Sequence, residues 1–140
     1  MGKVNLSRVI WGGLLAGLIL NLGEFTLNEV LLGKQWESVI KTFNLPPADG
    51  ATISWFILMG FILGIVTIWL YAAIRPRFGA GSKTAIFAGL VVWFLGWAWG
   101  FGWTYITGLY PASLTFSTVI WGFFEVPLAA LAGAWLYKED

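Results

Sequence analysis

The chain of 140 residues contains no cysteine and no histidine. These two absences exclude disulfide bonds, thiol catalysis, Fe–S clusters, Cys/His zinc sites and the histidine-dependent nucleophiles of common hydrolases. Charge is also scarce, because only 11% of the residues are charged and the net charge is +1. A basic face for nucleic acid is therefore absent, and no phosphate-binding or zinc-protease motif occurs. We expect no cofactor, no metal site, no nucleic-acid partner and no enzymatic activity.

Apolar residues dominate instead. They make up 59% of the chain, with a mean hydropathy of +0.80, whereas about a quarter of the residues of a soluble domain are charged. Crossing a bilayer takes about 20 mostly apolar residues, and four stretches meet this requirement: 9–32, 52–74, 84–107 and 114–137. The sequence predicts an all-α, four-helix transmembrane bundle, with residues 1–140 forming a single integral membrane domain.

The one long connection carries a short amphipathic pattern. Trp36, Val39, Ile40 and Phe43 are spaced i, i+3, i+4 and i+7, and polar residues fill the opposite side. This pattern predicts an interfacial helix between the first two spans. The helix either anchors the chain at the membrane surface or covers a cavity beneath it.

The basic residues predict the orientation, since cytoplasmic loops are enriched in Lys and Arg. With four crossings, six basic residues share one side and two lie on the other. The first group is Lys3, Arg8, Arg75, Arg77, Lys83 and Lys138, and the second is Lys34 and Lys41. We expect a multi-pass protein of the cell's inner (cytoplasmic) membrane, with both termini in the cytoplasm.

Small residues recur at the spacing used for close helix contact in lipid. The pairs are Gly13/Gly17, Gly60/Gly64, Gly96/Gly100 and Ala129/Gly133, one in each predicted span. At helical spacing the polar residues of each span fall on the same face as its pair. The pattern predicts four inward-facing stripes that enclose a polar seam.

Two carboxyl groups lie at hydrocarbon depth, on Glu24 and Glu125. A carboxylate facing lipid is costly, so both are expected to face the interior, in the protonated form, and to mark a functional site. We predict a ligand-binding cavity between the first, third and fourth spans. In it Asn21 would orient Glu24, and Trp99 and Trp103 would supply an aromatic wall.

The surroundings of Glu125 include a proline two residues later. Pro127 removes the main-chain hydrogen bond to Phe123, and irregular backbone is tolerated in membranes where it lines a cavity or is buried in protein. In a purely structural alternative, Glu24 and Glu125 are neutral acids that tie helices together by hydrogen bonds.

Two short motifs carry a resemblance. Gly33, Lys34 and Trp36 follow the first span, and Trp-Gly-Phe-Phe-Glu-Val-Pro-Leu-Ala-Ala-Leu-Ala-Gly occupies residues 121–133. Both resemble a bacterial family of small four-helix integral membrane proteins of unknown function, which implies fold and location but no activity. Glu24 is also similar in kind to the embedded glutamate of small multidrug exporters. Asn21 and Glu24 match an element of membrane glutathione transferases, but the arginines of those enzymes are missing here.

The resulting functional hypothesis is binding or transport of a small lipophilic or cationic ligand at the two carboxyl groups. The alternative is a non-catalytic accessory subunit of a larger membrane complex that binds lipid or pigment. The expected partners are the lipid bilayer, a small lipophilic ligand, and either another membrane protein or further copies of this chain.

Overall fold

The computed structural model describes residues 3–139, and every regular element in that range is helical. The five helices are α1 (Leu6–Leu31), α2 (Gly33–Thr42), α3 (Gly50–Phe78), α4 (Ser82–Ile106) and α5 (Ala112–Leu136). All but α2 are long and apolar enough to cross a membrane. The all-α bundle with a short helix between its first two spans is thus confirmed, and the chain is a multi-pass membrane protein.

The third helix is longer than the apolar pattern indicates, because it continues through Pro76 to Phe78. Arg75 and Arg77 therefore lie in its last turn, and only residues 79–81 connect it to α4. A proline this close to a helix end removes a single hydrogen bond. The two arginines stabilise the same turn, because cations near a helix C-terminus interact favourably with the helix dipole.

Asn5, Tyr137 and Glu139, near the two ends of the described chain, meet at one end of the bundle, called here the terminal end. The main-chain N–H of Asn5 donates to the Tyr137 hydroxyl at 3.3 Å, and that hydroxyl donates to Glu139 at 3.3 Å. Arg75 pairs with Glu139 at 3.6 Å and lies over the Tyr137 ring. The opposite end, which carries α2 and the connection between α4 and α5, is called the α2 end.

Glycines bring the helices together near the terminal end. Gly64 of α3 packs on the main chain of Gly13 and Gly17 of α1. Gly12 and Gly133 face each other so closely that a Cβ on either would lie 2.5 Å from the other's carbonyl oxygen. Small residues have this effect in lipid because association there depends on close van der Waals contact.

The glycine pair of α4 does not follow the prediction. Phe94–Trp99 forms a π-helical turn, whose hydrogen bonds span one residue more than those of an α-helix. The later residues are therefore rotated relative to a regular α-helix, and Trp97 rather than Gly96 turns inward to pack on Gly122. A Cβ at Gly96 would have no non-neighbouring heavy atom of residues 3–139 within 4 Å, so the predicted inward face of Gly96 and Gly100 is wrong.

Candidate ligand-binding site

An open groove of about 940 Å³ separates α1 from α5. The two helices touch at Gly12 and Gly133 near the terminal end and diverge toward the α2 end. The lining is mostly apolar, with a few hydroxyl groups and one carboxyl group. From α1 and the residue that follows it come Ile19, Leu22, Gly23, Thr26, Leu27, Leu31 and Leu32, and from α5 come Ser113, Phe116, Ser117, Ile120, Trp121, Phe124, Glu125 and Leu128.

Glu125 provides that carboxyl group, at the point where the two helices converge. Its side chain packs against Gly23, because a Cβ at that position of α1 would overlap the Glu125 carboxyl. Only 7% of Glu125 is exposed. Neither carboxyl oxygen makes a hydrogen bond of good geometry within residues 3–139, although the Glu24 carboxyl and the Trp121 side chain lie beside it. A buried carboxyl group without well-formed hydrogen bonds is energetically unfavourable in a membrane.

Glu24 has the opposite environment, because both of its carboxyl oxygens accept hydrogen bonds. The indole N–H of Trp97 donates to one oxygen at 3.1 Å, and the side-chain amide of Asn28 donates to the other at 2.8 Å. Trp97 comes from α4 and Asn28 from the π-helical last turns of α1, Thr26–Leu31. Glu24 is therefore held in place by two helices.

Asn28 connects this carboxyl group to α2. The amide that donates to the Glu24 side chain also donates to the Glu24 main-chain carbonyl at 2.8 Å. Its side-chain oxygen accepts from the Trp36 indole N–H at 2.8 Å, and the Trp36 ring contacts Tyr110 edge-on. The short helix is thus tied to the carboxyl region by side-chain hydrogen bonds as well as by its apolar face.

The carboxyl groups of Glu24 and Glu125 are close enough to interact electrostatically. Side chains of a helix lean toward its N-terminus, and α1 and α5 run in opposite directions. Glu24 therefore leans toward the terminal end and Glu125 toward the α2 end, so that the two approach each other. Each carboxyl oxygen of Glu24 accepts a side-chain hydrogen bond, whereas Glu125 has the Glu24 and Trp121 side chains beside it without a bond of good geometry.

Three of the five predicted site residues have other surroundings. Asn21 donates to the Ile57 carbonyl of α3 at 3.1 Å, so it is Asn28 that orients Glu24. Trp99 and Trp103 contact each other edge-on and remain 57% and 55% exposed on the outer surface of α4. They form no wall of the groove, because no residue of α4 is among those that line it.

Three residues at the site were not among the predicted ligand-binding residues, namely Gly23, Asn28 and Trp97, although the structural alternative expects Asn28 or an indole N–H to bond to the acids, as both do to Glu24. Asn28 shares the inner face of α1 with Glu24, and that spacing is a usable signal. Trp97 lies four residues after Trp93, which is on the buried side of α4. That Trp97 rather than Gly96 faces inward, however, depends on the π-helical turn. No sequence pattern distinguishes Gly23 from the other glycines of a chain that contains 18 of them.

The polar chemistry of the site is limited to carboxyl, amide, hydroxyl and indole groups. The described residues contain no group of three or more Asp, Glu, His or Cys side chains suited to a metal ion. The site therefore offers an apolar surface and one unpaired acid. Comparison of the chain with protein-family models, curated proteins and solved structures finds no match.

Proposed function

We propose that the protein binds a lipophilic amine in the groove between α1 and α5, with Glu125 as the acceptor of its ammonium group. The observation that supports this proposal is the position of the unpaired Glu125 carboxyl at the convergent end of an otherwise apolar groove. An alkyl or aromatic body would occupy the apolar part. The neutral amine would take up the proton of the Glu125 acid, and the resulting ammonium N–H groups would donate to the carboxylate oxygens after a rotation of the flexible side chain.

The energetics favour an amine over a neutral hydrocarbon. Lipid tails already surround apolar ligands, so burial in the groove adds little selectivity. A hydrogen bond to a charged group contributes about 1.5–3 kcal/mol. A ligand that supplies N–H donors to Glu125 therefore gains affinity that a lipid tail cannot provide.

The route to the site is lateral. Leu22, Phe124 and Leu128 line the groove and are largely exposed on the outer surface of the bundle, where the acyl chains lie. A lipophilic amine dissolved in the bilayer can enter from there. Passage to the terminal end is blocked where Gly12 and Gly133 are in contact, so the static structure supports binding more strongly than transport.

We also propose that the terminal end faces the cytoplasm and that the membrane is the cell's inner one. Arg75, Arg77 and Lys83 lie at that end, whereas Lys34 and Lys41 lie at the α2 end. The proposal rests on the excess of basic residues at cytoplasmic ends. Protease accessibility of a C-terminal tag in spheroplasts tests it, with protection expected and cleavage contradicting it.

Binding is tested with radiolabelled decylamine and the protein in lipid nanodiscs, after subtraction of the uptake by empty nanodiscs. Glu125→Gln should weaken binding at least about tenfold, equivalent to about 1.4 kcal/mol. Glu29→Gln is the matched control, because Glu29 is exposed on α1 and does not line the groove. Equal affinity of the wild type and Glu125→Gln would refute the proposal.

A second ligand tests the role of the N–H donors. Decyltrimethylammonium has the same chain and charge as decylamine but no N–H group. It should bind more weakly than decylamine to the wild type and equally weakly to Glu125→Gln. Equal binding of both compounds to the wild type would show that charge alone determines affinity.

The alternative role as an accessory subunit has one supporting observation. The glycine pair Gly96 and Gly100 packs on no other helix within residues 3–139, and Trp99 and Trp103 are exposed beside it. A helix of another chain could approach this face closely. Purification from the native membrane in mild detergent tests this role, since a reproducible partner would support it and a chain without partners would contradict it.

A further inference from the structure

A row of polar groups runs along the buried face of α5. It consists of Thr115, Thr118, Trp121 and Glu125, spaced three, three and four residues apart, so all four lie on one side of the helix. The hydroxyls of both threonines, the Trp121 indole N–H and both Glu125 carboxyl oxygens are buried. None of these atoms makes a hydrogen bond of good geometry in the part of the chain that the structure describes; Trp121 lies beside Glu125, and the two threonine hydroxyls have no partner within that part.

The two threonines differ from others in the spans. Thr67 is completely buried in α3, and its hydroxyl donates to the Leu63 carbonyl at 2.8 Å. Thr26 of α1 donates to the Leu22 carbonyl in the same manner. A threonine hydroxyl in a membrane helix commonly bonds to the carbonyl one turn earlier. Thr118 is only 1% exposed and does not make this bond.

Unpaired polar groups at this depth require an occupant that can both donate and accept hydrogen bonds. Acyl chains can do neither. The carboxyl oxygens need donors, the indole N–H needs an acceptor, and the hydroxyls can serve as either. Water meets all three requirements, and buried water is typically held by two to four polar groups. The row covers ten residue steps from Thr115 to Glu125, or about 15 Å at 1.5 Å per residue, with about one turn between successive groups.

We propose that a file of bound water molecules lies along this face of α5, from Thr115 in the first turn to the carboxyl group of Glu125. Thr115 and Thr118 do not line the α1–α5 groove, whereas Trp121 and Glu125 do. The file therefore reaches Glu125 from the bundle interior, where Glu24 of α1 is the other titratable group beside it. The water site is independent of amine binding.

The file gives Glu125 a hydration route separate from the lipid-facing groove. An amine and water would then reach the same carboxyl group from different sides. This arrangement allows the carboxyl group to remain hydrated when the groove is occupied only by acyl chains.

Water-edited solid-state NMR of the isotope-labelled protein in lipid bilayers tests the proposal without any added ligand. Polarisation transfer from water should reach Thr118 and Thr115 at least about threefold faster than Thr67, because bound water contacts only the first two. Thr67 is the matched control, since it is equally buried but hydrogen-bonded within its helix. Transfer to Thr118 as slow as to Thr67 would overturn the proposal.

The variant Thr118→Val tests whether the groups act together. It preserves the shape of the side chain and removes the hydroxyl group, so the transfer to the Trp121 indole should fall by about half or more. Thr67→Val should leave the Trp121 signal unchanged. An unchanged Trp121 signal in Thr118→Val would contradict a continuous file. Because no amine is present, a failure here is distinct from a failure of the proposed function.

Discussion

The main chain of Gly23 lies directly against the carboxyl group of Glu125. This contact is where α1 and α5 separate, because the helices are close on its terminal side and form the groove on its α2 side. A side chain at this position would displace the carboxyl group, since any Cβ would occupy its place. The contact therefore determines both the shape of the groove floor and the placement of its acid.

Gly23→Ala should impair binding while leaving the fold stable. The added methyl group meets the end of a flexible side chain, so Glu125 can move aside at little cost in stability. The same methyl group then fills the floor where an ammonium group would approach. We expect severalfold weaker decylamine binding with a nearly unchanged thermal midpoint in detergent. A large loss of stability together with intact binding would contradict this view of the contact.

Gly64→Ala should destabilise the bundle, because its Cβ would meet the main chain of Gly13 and Gly17 rather than a movable side chain. Overpacking of this kind costs about 1–3 kcal/mol. Gly96→Ala is the matched control, since a Cβ there would have no contact within 4 Å in the described chain. Alanine favours a helix over glycine by roughly 0.5–1 kcal/mol, so this variant should be unchanged or more stable. Thermal unfolding in detergent distinguishes the two, and equal midpoints would contradict the assigned packing.

Much of the fold could be predicted from hydropathy and spacing. Four apolar runs predict four spans, and the amphipathic helical spacing that begins at Trp36 predicts α2. The glycines of α1 and α3 predict the contact between these two helices. These signals are strong because the bilayer requires long apolar segments and lipid leaves close packing to small residues. The helix ends were less predictable, as α3 shows by continuing through Pro76.

The details of the site could not be predicted in the same way. A π-helical turn rotates every later side chain relative to a regular α-helix, and the sequence of α4 carries no signal for it. Trp97 rather than Trp99 or Trp103 therefore reaches Glu24. On α1, Asn21 and Asn28 both share a face with Glu24, and only the neighbouring helices determine which of them bonds to it.

Asn28→Leu should loosen α2, because Asn28 joins Trp36 of that helix to Glu24. Without the amide, Trp36 loses its acceptor and Glu24 one of its two side-chain donors. We expect faster hydrogen–deuterium exchange across α2, measured by mass spectrometry in nanodiscs. Asn21→Leu is the control, because Asn21 bonds to α3 instead. Equal hydrogen–deuterium exchange rates across α2 in the wild type and in Asn28→Leu would show that the apolar face of α2 alone holds this helix in place.

Asp49 should make the first turn of α3 sensitive to acid. Hydrogen bonds from the main-chain N–H and then the hydroxyl of Thr52 hold the pKa of this exposed carboxyl below its ordinary value. The cap is therefore fully present above the ordinary aspartate pKa and is lost as the pH falls through the lowered value. We expect the amide of Thr52, which donates to the Asp49 side chain, to exchange faster over that acidic range, after correction for its intrinsic rate. Asp49→Ala should remove the pH dependence, and a persistent dependence in this variant would assign it to another group.

The most direct test of the central claim is photo-crosslinking with decylamine that carries a diazirine at the end of its chain, followed by peptide mapping. Adducts should concentrate on the groove-lining residues of α1 and α5, such as Leu22 and Phe116, and should be displaced by unlabelled decylamine. They should also disappear in Glu125→Gln. Adducts spread equally over the lipid-facing residues Phe56 and Trp69 of α3, and unaffected by Glu125→Gln, would contradict a binding site at Glu125.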